Sequence, residues 1–283
     1  YSKRTTARGE CNEVDIIISA VAHRSGSTLL QRIINSRKEN LIWGEHQGVV
    51  TSFLDMYKQV RTYSLDYRKE RNAYFDSDEN PNVWTATMTP EFPFVEQAVM
   101  ESVRAFMNAL YSQYRDTHDT IGFKEVRYGE QELRLLRKCY PEAEFLLVVR
   151  NPIHTWQSLM NCRGWYKDDV RTTANKWNRN VGGYLAMAGS DPKSHLIVYE
   201  NLIRQNEATL NTIEACAKVP RQQMLDVMSH KVGSTANDTI SDEDRSIILE
   251  ICGERMRQLG YLTSDGKEDR HEPSFDRLAV VQD

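Results

Sequence analysis

Residues 15–34 have the sequence DIIISAVAHRSGSTLLQRII, and this stretch decides the fold. Its β-branched run up to Ala20 predicts a short buried strand, Gly26 predicts a tight turn, and the apolar spacing from Ser27 onward predicts an amphipathic helix. In that order, the N–H groups of the turn and the positive end of the helix point at one spot, where anions bind. The segment therefore predicts an anion site. The alternative is a purely structural turn in which Ser25 or Ser27 only caps the helix.

Four segments in all predict buried strands, and helical patterns separate them. The predicted strands are 16–20, 120–124, 145–149 and 196–199. The predicted helices are 27–36, 90–115, 130–139, 152–161, 170–187, 201–217 and 242–259. Strands that alternate with helices indicate a parallel sheet, because parallel neighbours need crossover connections. We therefore expect an α/β fold: a single-domain, P-loop-like, three-layer arrangement with a central parallel sheet flanked by helices.

One domain is expected over residues 1–283. Residues 51–89 are rich in tyrosine and show no clean period, so we interpret them as an insertion with partial helix that covers one end of the sheet. Residues 263–283 are polar and predict an irregular tail.

Composition and charge exclude some classes of protein. Charged residues make up 27% of the chain and the formal net charge is -4, so the global basic bias typical of nucleic-acid binding is absent. Any anion site must be local. The longest apolar stretch, 16–22, is far shorter than the roughly 20 residues that a membrane-spanning helix needs, so we expect no membrane span.

The cysteines are dispersed. They are Cys11, Cys139, Cys162, Cys216 and Cys252, without a C-x-x-C pair, and the seven histidines do not cluster with them in the sequence. This pattern favours reduced thiols in a cytoplasmic protein and predicts no metal site. Because the chain begins with Tyr1, a preceding targeting or anchor segment stays an alternative.

The turn at Gly26 differs from the Walker A pattern G-x-x-x-x-G-K-[ST]. With Gly26 aligned to the second glycine, Val21 occupies the place of the first and Ser27 that of the lysine. The cation is Arg24, two residues before the glycine. Since a nucleoside triphosphatase needs the lysine on its β and γ phosphates, this loop argues against a kinase or an ATPase.

A second candidate anchor follows the strand at 145–149, in the sequence EFLLVVRNPIHTWQSL from Glu144. Arg150 ends the strand, and Pro152 suits the first turn of a helix. Ser158 lies six residues after that proline, so it could face back toward the strand end. An arginine and a hydroxyl that converge at the carboxyl end of a parallel strand indicate a phosphate site.

These segments resemble the sulfotransferase family. HRSGSTLL, from His23, is similar to its 5′-phosphosulfate loop, and Arg150 with Ser158 matches its 3′-phosphate element position for position. VYENL, from Val198, is similar to a segment whose tyrosine borders the adenine. The R-S-G-S-T-L loop is closer to the tyrosylprotein, carbohydrate and bacterial branches than to the cytosolic one.

The resemblance implies a donor and its binding residues. The donor would be 3′-phosphoadenosine 5′-phosphosulfate (PAPS) as co-substrate, the product 3′-phosphoadenosine 5′-phosphate (PAP), and no metal would be needed. The nucleotide-binding residues would be Arg24, Ser25, Gly26, Ser27, Thr28, Leu29, Arg150, Ser158, Tyr199 and, from a late basic loop, Ser229 and Lys231.

The resemblance also suggests catalytic residues. Lys124, in GFKEV, resembles the lysine that contacts the sulfuryl group, and Arg24 would share this charge. Cytosolic members continue K-x-H and use that histidine as the base, but here the third residue is Val126. Glu45, in WGEHQG, resembles the base of other branches. Its alternatives are His46 and, after it, His23 and His154.

The acceptor is less well defined by the sequence. Tyr57, Tyr63, Tyr67, Tyr74 and Trp84 could line its pocket or belong to the core. We expect a hydroxyl or amine of a small molecule or carbohydrate, no nucleic-acid partner, and a homodimer as one arrangement. The alternatives are a P-loop small-molecule kinase and a non-catalytic nucleotide-binding module.

Overall fold

Five parallel strands form the central sheet of the computed structural model, which describes residues 13–161, 164, 166–230 and 240–263. The strands are β1 (Ile16–Ala20), β2 (Asn40–Trp43), β3 (Thr120–Glu125), β4 (Glu144–Val149) and β5 (Ser194–Val198). Their order across the sheet is β2-β3-β1-β4-β5. The chain passes from the central β1 to the edge strand β2, returns to β3 beside β1, and continues on the other side of β1 through β4 to β5. The predicted α/β fold with a central parallel sheet is confirmed.

Helices connect these strands and flank the sheet. Those in the described part of the chain are α1 (Ser27–Ile34), α2 (Val49–Asp66), α3 (Arg68–Asp76), α4 (Phe92–Tyr111), α5 (Glu130–Cys139), α6 (Pro152–Met160), α7 (Val170–Ser190), α8 (Tyr199–Ile203), α9 (Glu207–Ala217), α10 (Arg221–Ser229) and α11 (Asp242–Gln258). No helix among the described residues is both long enough and apolar enough to cross a membrane.

The strands are buried on both faces, which is why their sequences are nearly continuous apolar runs. Ile17 and Leu147 belong to the core on one face, where α4, α5, α7 and α11 pack. Ile16 and Ile18 belong to the core on the other face, which α1, α9 and α10 cover. The sheet with its two helical layers gives the three-layer arrangement.

The structure differs from the predictions in some elements. The strand β2 was not predicted, and residues 51–89 are more helical than expected because they hold most of α2 and all of α3. The predicted helix 201–217 is divided between α8 and α9. Its break lies at Gln205, whose φ is 59°, and Asn206 restarts the helix by accepting a hydrogen bond from the Thr209 N–H at 3.1 Å.

The carboxyl ends of all five strands lie along one edge of the sheet. The register pairs Ser19 with Glu125, and Ala20 with Val148, so β1, β3 and β4 end at similar levels. In open parallel sheets, ligands bind outside this edge, at the point where the strand order reverses. Here that point is β1, between β3 and β4.

Candidate active site

The turn after β1 combines an unusual backbone with an uncapped helix. Arg24 and Gly26 both have positive φ, of 66° and 90°, and α1 begins directly after Gly26 without a side-chain cap. A Cβ atom at Gly26 would lie 2.0 Å from Cδ2 of Tyr199, which follows β5. Glycine is therefore required here twice, by its φ and by the close approach of the tyrosine ring.

The two predicted anchors are in direct contact. Arg150, after β4, donates a hydrogen bond from Nη1 to the backbone oxygen of Arg24 at 2.8 Å. Arg24 in turn donates from Nε to the hydroxyl of Ser158 on α6 at 3.0 Å. The guanidinium carbon of Arg150 lies 4.7 Å from the ring centroid of Tyr199, in cation–π range. Segments far apart in sequence thus form one cluster.

Two residues of α7 hold these turns in place. The indole N–H of Trp177 donates to the backbone oxygen of Arg150 at 2.9 Å, and the Asn180 amide donates to the backbone oxygen of Val21 at 3.1 Å. Both side chains are buried. Because each hydrogen bond ends on a main-chain oxygen, α7 fixes the path of both turns irrespective of their side chains.

Glu45 lies between two cations. Its Oε1 accepts a hydrogen bond from Nζ of Lys124 at 2.6 Å, and its Oε2 accepts one from Nη1 of Arg127 at 2.9 Å. Glu45 follows β2, while both cations belong to the end of β3 and the turn after it. Burial acts to raise the pKa of Glu45, but the hydrogen bonds and charges of Lys124 and Arg127 outweigh it, so the pKa is lowered. Glu45 is therefore ionised at neutral pH.

Glu125 organises the loop that carries Glu45. Its carboxylate is fully buried and accepts hydrogen bonds from the Gly48 N–H at 2.7 Å and from the His46 N–H at 3.3 Å. It also accepts from Nη1 of Arg127 at 2.6 Å. One buried acid thus fixes both the backbone after Glu45 and the cation that contacts Glu45.

The ring of His46 is engaged on both sides by tyrosines. Its Nδ1 lies 2.6 Å from the hydroxyl of Tyr111, and its Nε2 hydrogen-bonds the hydroxyl of Tyr128. Burial lowers the pKa of His46, although the charge of Glu125 acts to raise it. The ring is therefore neutral at pH 7, and its side chain is only 8% exposed.

A family model described as the sulfotransferase family matches residues 17–223. The chain belongs to the sulfotransferase family. The match runs from β1 into the start of α10 and so includes the elements that form the candidate site, which confirms the family that the motifs indicated.

Comparison with solved structures also finds sulfotransferases. One from Mycobacterium avium is 12% identical with a TM-score of 0.50, and the alignment covers 88% of this chain and 77% of that chain. The sulfotransferase domain of the olefin synthase from Synechococcus PCC 7002 is 14% identical with a TM-score of 0.48, with coverage of 89% and 91%. A search of the curated proteins finds no match.

The other predicted residues of this sulfotransferase-family chain lie at varying depth. Ser25 and Ser27 are buried, Thr28 is exposed, and Leu29 is half-buried against the core under α1. Ser229 ends α10, where its hydroxyl donates to the backbone oxygen of Asp226 at 2.7 Å. Lys231 lies outside the described residues.

The two rival histidines occupy different surroundings. Burial and the charge of Arg127 lower the pKa of His23, which places this residue within the field of the Glu45 cluster, and its ring centroid lies 6.1 Å from that of Tyr166. His154, in the first turn of α6, has Nδ1 3.9 Å from Glu200. Glu200 accepts a hydrogen bond from the Asn151 N–H at 3.0 Å and so supports the turn after β4.

Sequence reasoning missed Glu125, Arg127 and the α7 residues Trp177 and Asn180. The sequence position of Glu125 could have indicated its role. An acid that directly follows Lys124 at the end of a buried strand needs a partner. Arg127, two residues later, is that partner. The α7 residues gave no signal, since a tryptophan and an asparagine on a helix face are ordinary in a core.

Proposed function

We propose that this chain transfers the sulfuryl group of PAPS to a hydroxyl or amine of a small-molecule or carbohydrate acceptor, releasing PAP. The observation that carries the proposal is the contact between Arg150 and the backbone of Arg24. A nucleotide with phosphates at both ends of its ribose needs two anion sites within the reach of one ligand, and this contact brings the two loops together.

The residues around this contact fit such a nucleotide. Ser25 Oγ and Arg150 Nε are buried donors without a hydrogen-bond partner among the described residues. Buried donors of this kind cost free energy unless a ligand or water satisfies them. The uncapped start of α1 adds main-chain N–H groups and a positive helix end. Arg24, Ser25 and the start of α1 suit the 5′ phosphate. Arg150 and Ser158 suit the 3′ phosphate.

Tyr199 supports the position of the adenine. Its ring contacts the guanidinium of Arg150 on one side and Gly26 on another, so it lies between the two turns. A base that stacks or packs on this ring would leave the ribose phosphates within reach of both turns.

In the proposed reaction, Glu45 is the general base. The bound donor supplies a sulfuryl group that is already activated by its phosphate leaving group. Glu45 accepts the proton of the acceptor as the acceptor oxygen or nitrogen forms its bond to sulfur in line with the departing oxygen. The bond between sulfur and that oxygen breaks, and its electron pair remains on the phosphate, next to Arg24 and the start of α1.

Lys124 and Arg127 have different electrostatic roles in the proposed reaction. Lys124 contacts Glu45 and would also reach the sulfuryl oxygens, where it balances the charge of the reacting group. Once Lys124 turns to these oxygens, Arg127 still holds Oε2 of Glu45. The loss of one cationic partner raises the pKa of Glu45, so the carboxylate becomes a better base when the donor is present.

The surroundings of His46 favour Glu45 over it as the base. Both ring nitrogens of His46 are occupied by tyrosine hydroxyls, and its side chain is almost fully covered. A general base needs a free lone pair within reach of the acceptor proton. His46 therefore serves better as a support for the loop that presents Glu45.

The proposed location is the cytoplasm. Cys139, Cys216 and Cys252 are free thiols in the structure, and two of them are buried in the core. Free cysteines at such positions suit a reducing compartment.

The decisive experiment is a transfer assay with PAPS labelled with radioactive sulfate and a broad panel of alcohols, phenols, amines and sugars. We expect labelled product with at least one acceptor class, and we expect PAP to raise the thermal unfolding temperature while ATP with Mg²⁺ does not. Stabilisation by ATP with Mg²⁺ and not by PAP would support the kinase alternative. PAP binding without transfer to any acceptor would support the non-catalytic module.

A further inference from the structure

A second cluster of reactive side chains lies at the opposite edge of the sheet from the candidate active site. It consists of Glu144, the first residue of β4, His195, the second residue of β5, and Cys216, next to last in α9. Their ligand atoms all lie within 4.8 Å of one another. The cysteines and histidines are dispersed in the sequence, and the crossover from β4 through α7 to β5 and α9 is what brings these three together.

We propose that Glu144, His195 and Cys216 bind a zinc ion that ties β4, β5 and α9 together. The carboxylate oxygen, imidazole nitrogen and thiolate sulfur form a mixed donor set. Hard cations such as Mg²⁺ and Ca²⁺ select oxygen donors, whereas zinc accepts all three kinds. Three protein ligands leave a fourth position for water.

The distances suit such an ion. In a tetrahedral zinc site, bond lengths of about 2.0 to 2.3 Å place neighbouring ligand atoms about 3.3 to 3.8 Å apart. Sγ of Cys216 lies 3.9 Å from Oε2 of Glu144, and Nε2 of His195 lies 2.7 Å from the same oxygen. A rotation of the Glu144 side chain that moves its Oε2 less than an ångström further from Nε2 of His195 would bring this distance into the same range and open space for the ion.

The position of the ligands supports a structural role. Glu144 and His195 are on adjacent strands, where Leu146 pairs with His195, so their backbones are held by the sheet. Both side chains are about a quarter exposed, at 28% and 26%, which gives an ion a route from solvent. Arg150, at the other end of β4, belongs to the candidate active site, so this ion would not touch the reacting groups.

The charges around the cluster are compatible with a divalent cation. Two cations lie nearby, but each has its own acid: Lys193 pairs with Glu142 at 2.7 Å, and Arg137 pairs with Asp191 at 2.8 Å. Zinc with one carboxylate and one thiolate is electrically neutral. Binding releases the proton of the Cys216 thiol, so the three side chains go from the charge of one carboxylate to a neutral complex.

Cobalt titration of the metal-depleted full-length chain tests this proposal without any assay of activity. Cobalt replaces zinc and reports its ligands by colour. We expect visible d–d bands of four-coordinate cobalt, a near-ultraviolet thiolate-to-cobalt charge-transfer band, and loss of both when zinc is added. Cys216→Ser, which is nearly isosteric, should lose the charge-transfer band, whereas the control Cys139→Ala should keep it.

His195→Gln and thermal unfolding extend the test. We expect His195→Gln to weaken cobalt binding at least about tenfold, the lower end of what loss of even an outer-shell partner costs. Zinc should raise the unfolding temperature of the wild type and not that of Cys216→Ser. A wild type that shows no charge-transfer band, or a band that persists in Cys216→Ser, would overturn the proposal and leave a simple His195–Glu144 hydrogen bond beside a thiol.

Discussion

Nζ of Lys124 lies 2.6 Å from Oε1 of Glu45, so the acid and the cation that resemble the family's base and sulfuryl-binding lysine are hydrogen-bonded to each other. They come from different strands, β2 and β3, which are neighbours in the sheet. This contact lowers the pKa of Glu45 and so keeps its carboxylate ionised. In the proposed reaction, proton acceptance by Glu45 and charge stabilisation by Lys124 are therefore linked.

Glu45→Gln removes the proposed proton acceptor and keeps the shape of the side chain. We expect kcat to fall by at least about a hundredfold, because a positioned base contributes ~10² to 10⁴ in rate. Affinity for PAP should stay near that of the wild type, measured by calorimetry. Glu254→Gln, on the exposed face of α11, is the matched control. Near-normal turnover of Glu45→Gln would assign the base to another group, with His46 as the first alternative.

His46→Phe tests whether His46 supports the loop that carries Glu45 or acts as the general base. The substitution removes the His46 partner of the Tyr111 hydroxyl and leaves the Tyr128 hydroxyl with only the Val50 N–H, so the free energy of unfolding should fall by about 1 to 3 kcal/mol. Denaturant unfolding measures this change. At a temperature where the variant is folded, kcat should stay within a few fold of the wild type. A hundredfold loss of kcat with unchanged stability would contradict the supporting role.

Arg150→Ala should weaken the binding of PAP. Loss of one partner of a charged hydrogen-bonded pair costs about 2 kcal/mol or more, which is roughly a thirtyfold change in Kd. Arg150→Lys keeps the charge but loses the planar fork, so its affinity should be intermediate. Calorimetric titration with PAP compares the three proteins. Equal affinity of Arg150→Ala and the wild type would remove Arg150 from the nucleotide site.

The pH dependence of activity should depend on Arg127. Because Lys124 and Arg127 lower the pKa of Glu45, the acid limb of kcat/KM for the wild type should lie below the ordinary glutamate value of 4.5. Arg127→Gln removes one cation, so its acid limb should move to higher pH. Arg134→Gln, on the exposed side of α5, should not move it. An identical limb in Arg127→Gln and the wild type would show that this cation does not act on the base.

Loss of Arg127 should also shift the acid unfolding of the protein to higher pH, the direction expected for the acid limb of activity. A carboxylate with a lowered folded-state pKa stabilises the fold above its unfolded pKa, and this contribution is lost as the pH falls through the folded value. Acid unfolding of Arg127→Gln should therefore begin at a higher pH than that of the wild type, as measured by circular dichroism.

Gly26→Ala should damage both the fold and the nucleotide site. At a φ of 90° an alanine is strained by about 1 to 3 kcal/mol, and its Cβ would overlap the ring of Tyr199. Adding Tyr199→Ala restores the space but not the backbone preference. The double variant should therefore recover part of the unfolding free energy. No recovery would show that the ring is not what opposes a side chain at this position.

The sequence predicted the centre of the fold best. β1 and β4 are buried on both faces, so their apolar runs are continuous and their bounds could be predicted closely. β2 was missed because NLIW is only four residues long. Only partial helix was expected where α2 lies, because most of its side chains face solvent and few apolar positions reveal the helical period.

The two turns of the candidate site could be identified from the sequence because each of them carries a short local motif. The network around Glu45 could not, since Glu45 and Arg127 are distant in sequence and their pairing depends on β2 lying beside β3. That neighbour relationship is a property of the sheet order, which local patterns do not encode.

The tether from Arg150 ends on the main-chain oxygen of Arg24, an atom that every amino acid supplies. Any residue introduced at position 24 would inherit this attachment, provided that it tolerates a left-handed backbone. Glycine meets this condition best, and asparagine is next among the uncharged residues. The side chain at position 24, and with it the charge of this loop, could therefore change while the hydrogen bond that joins the two turns is kept.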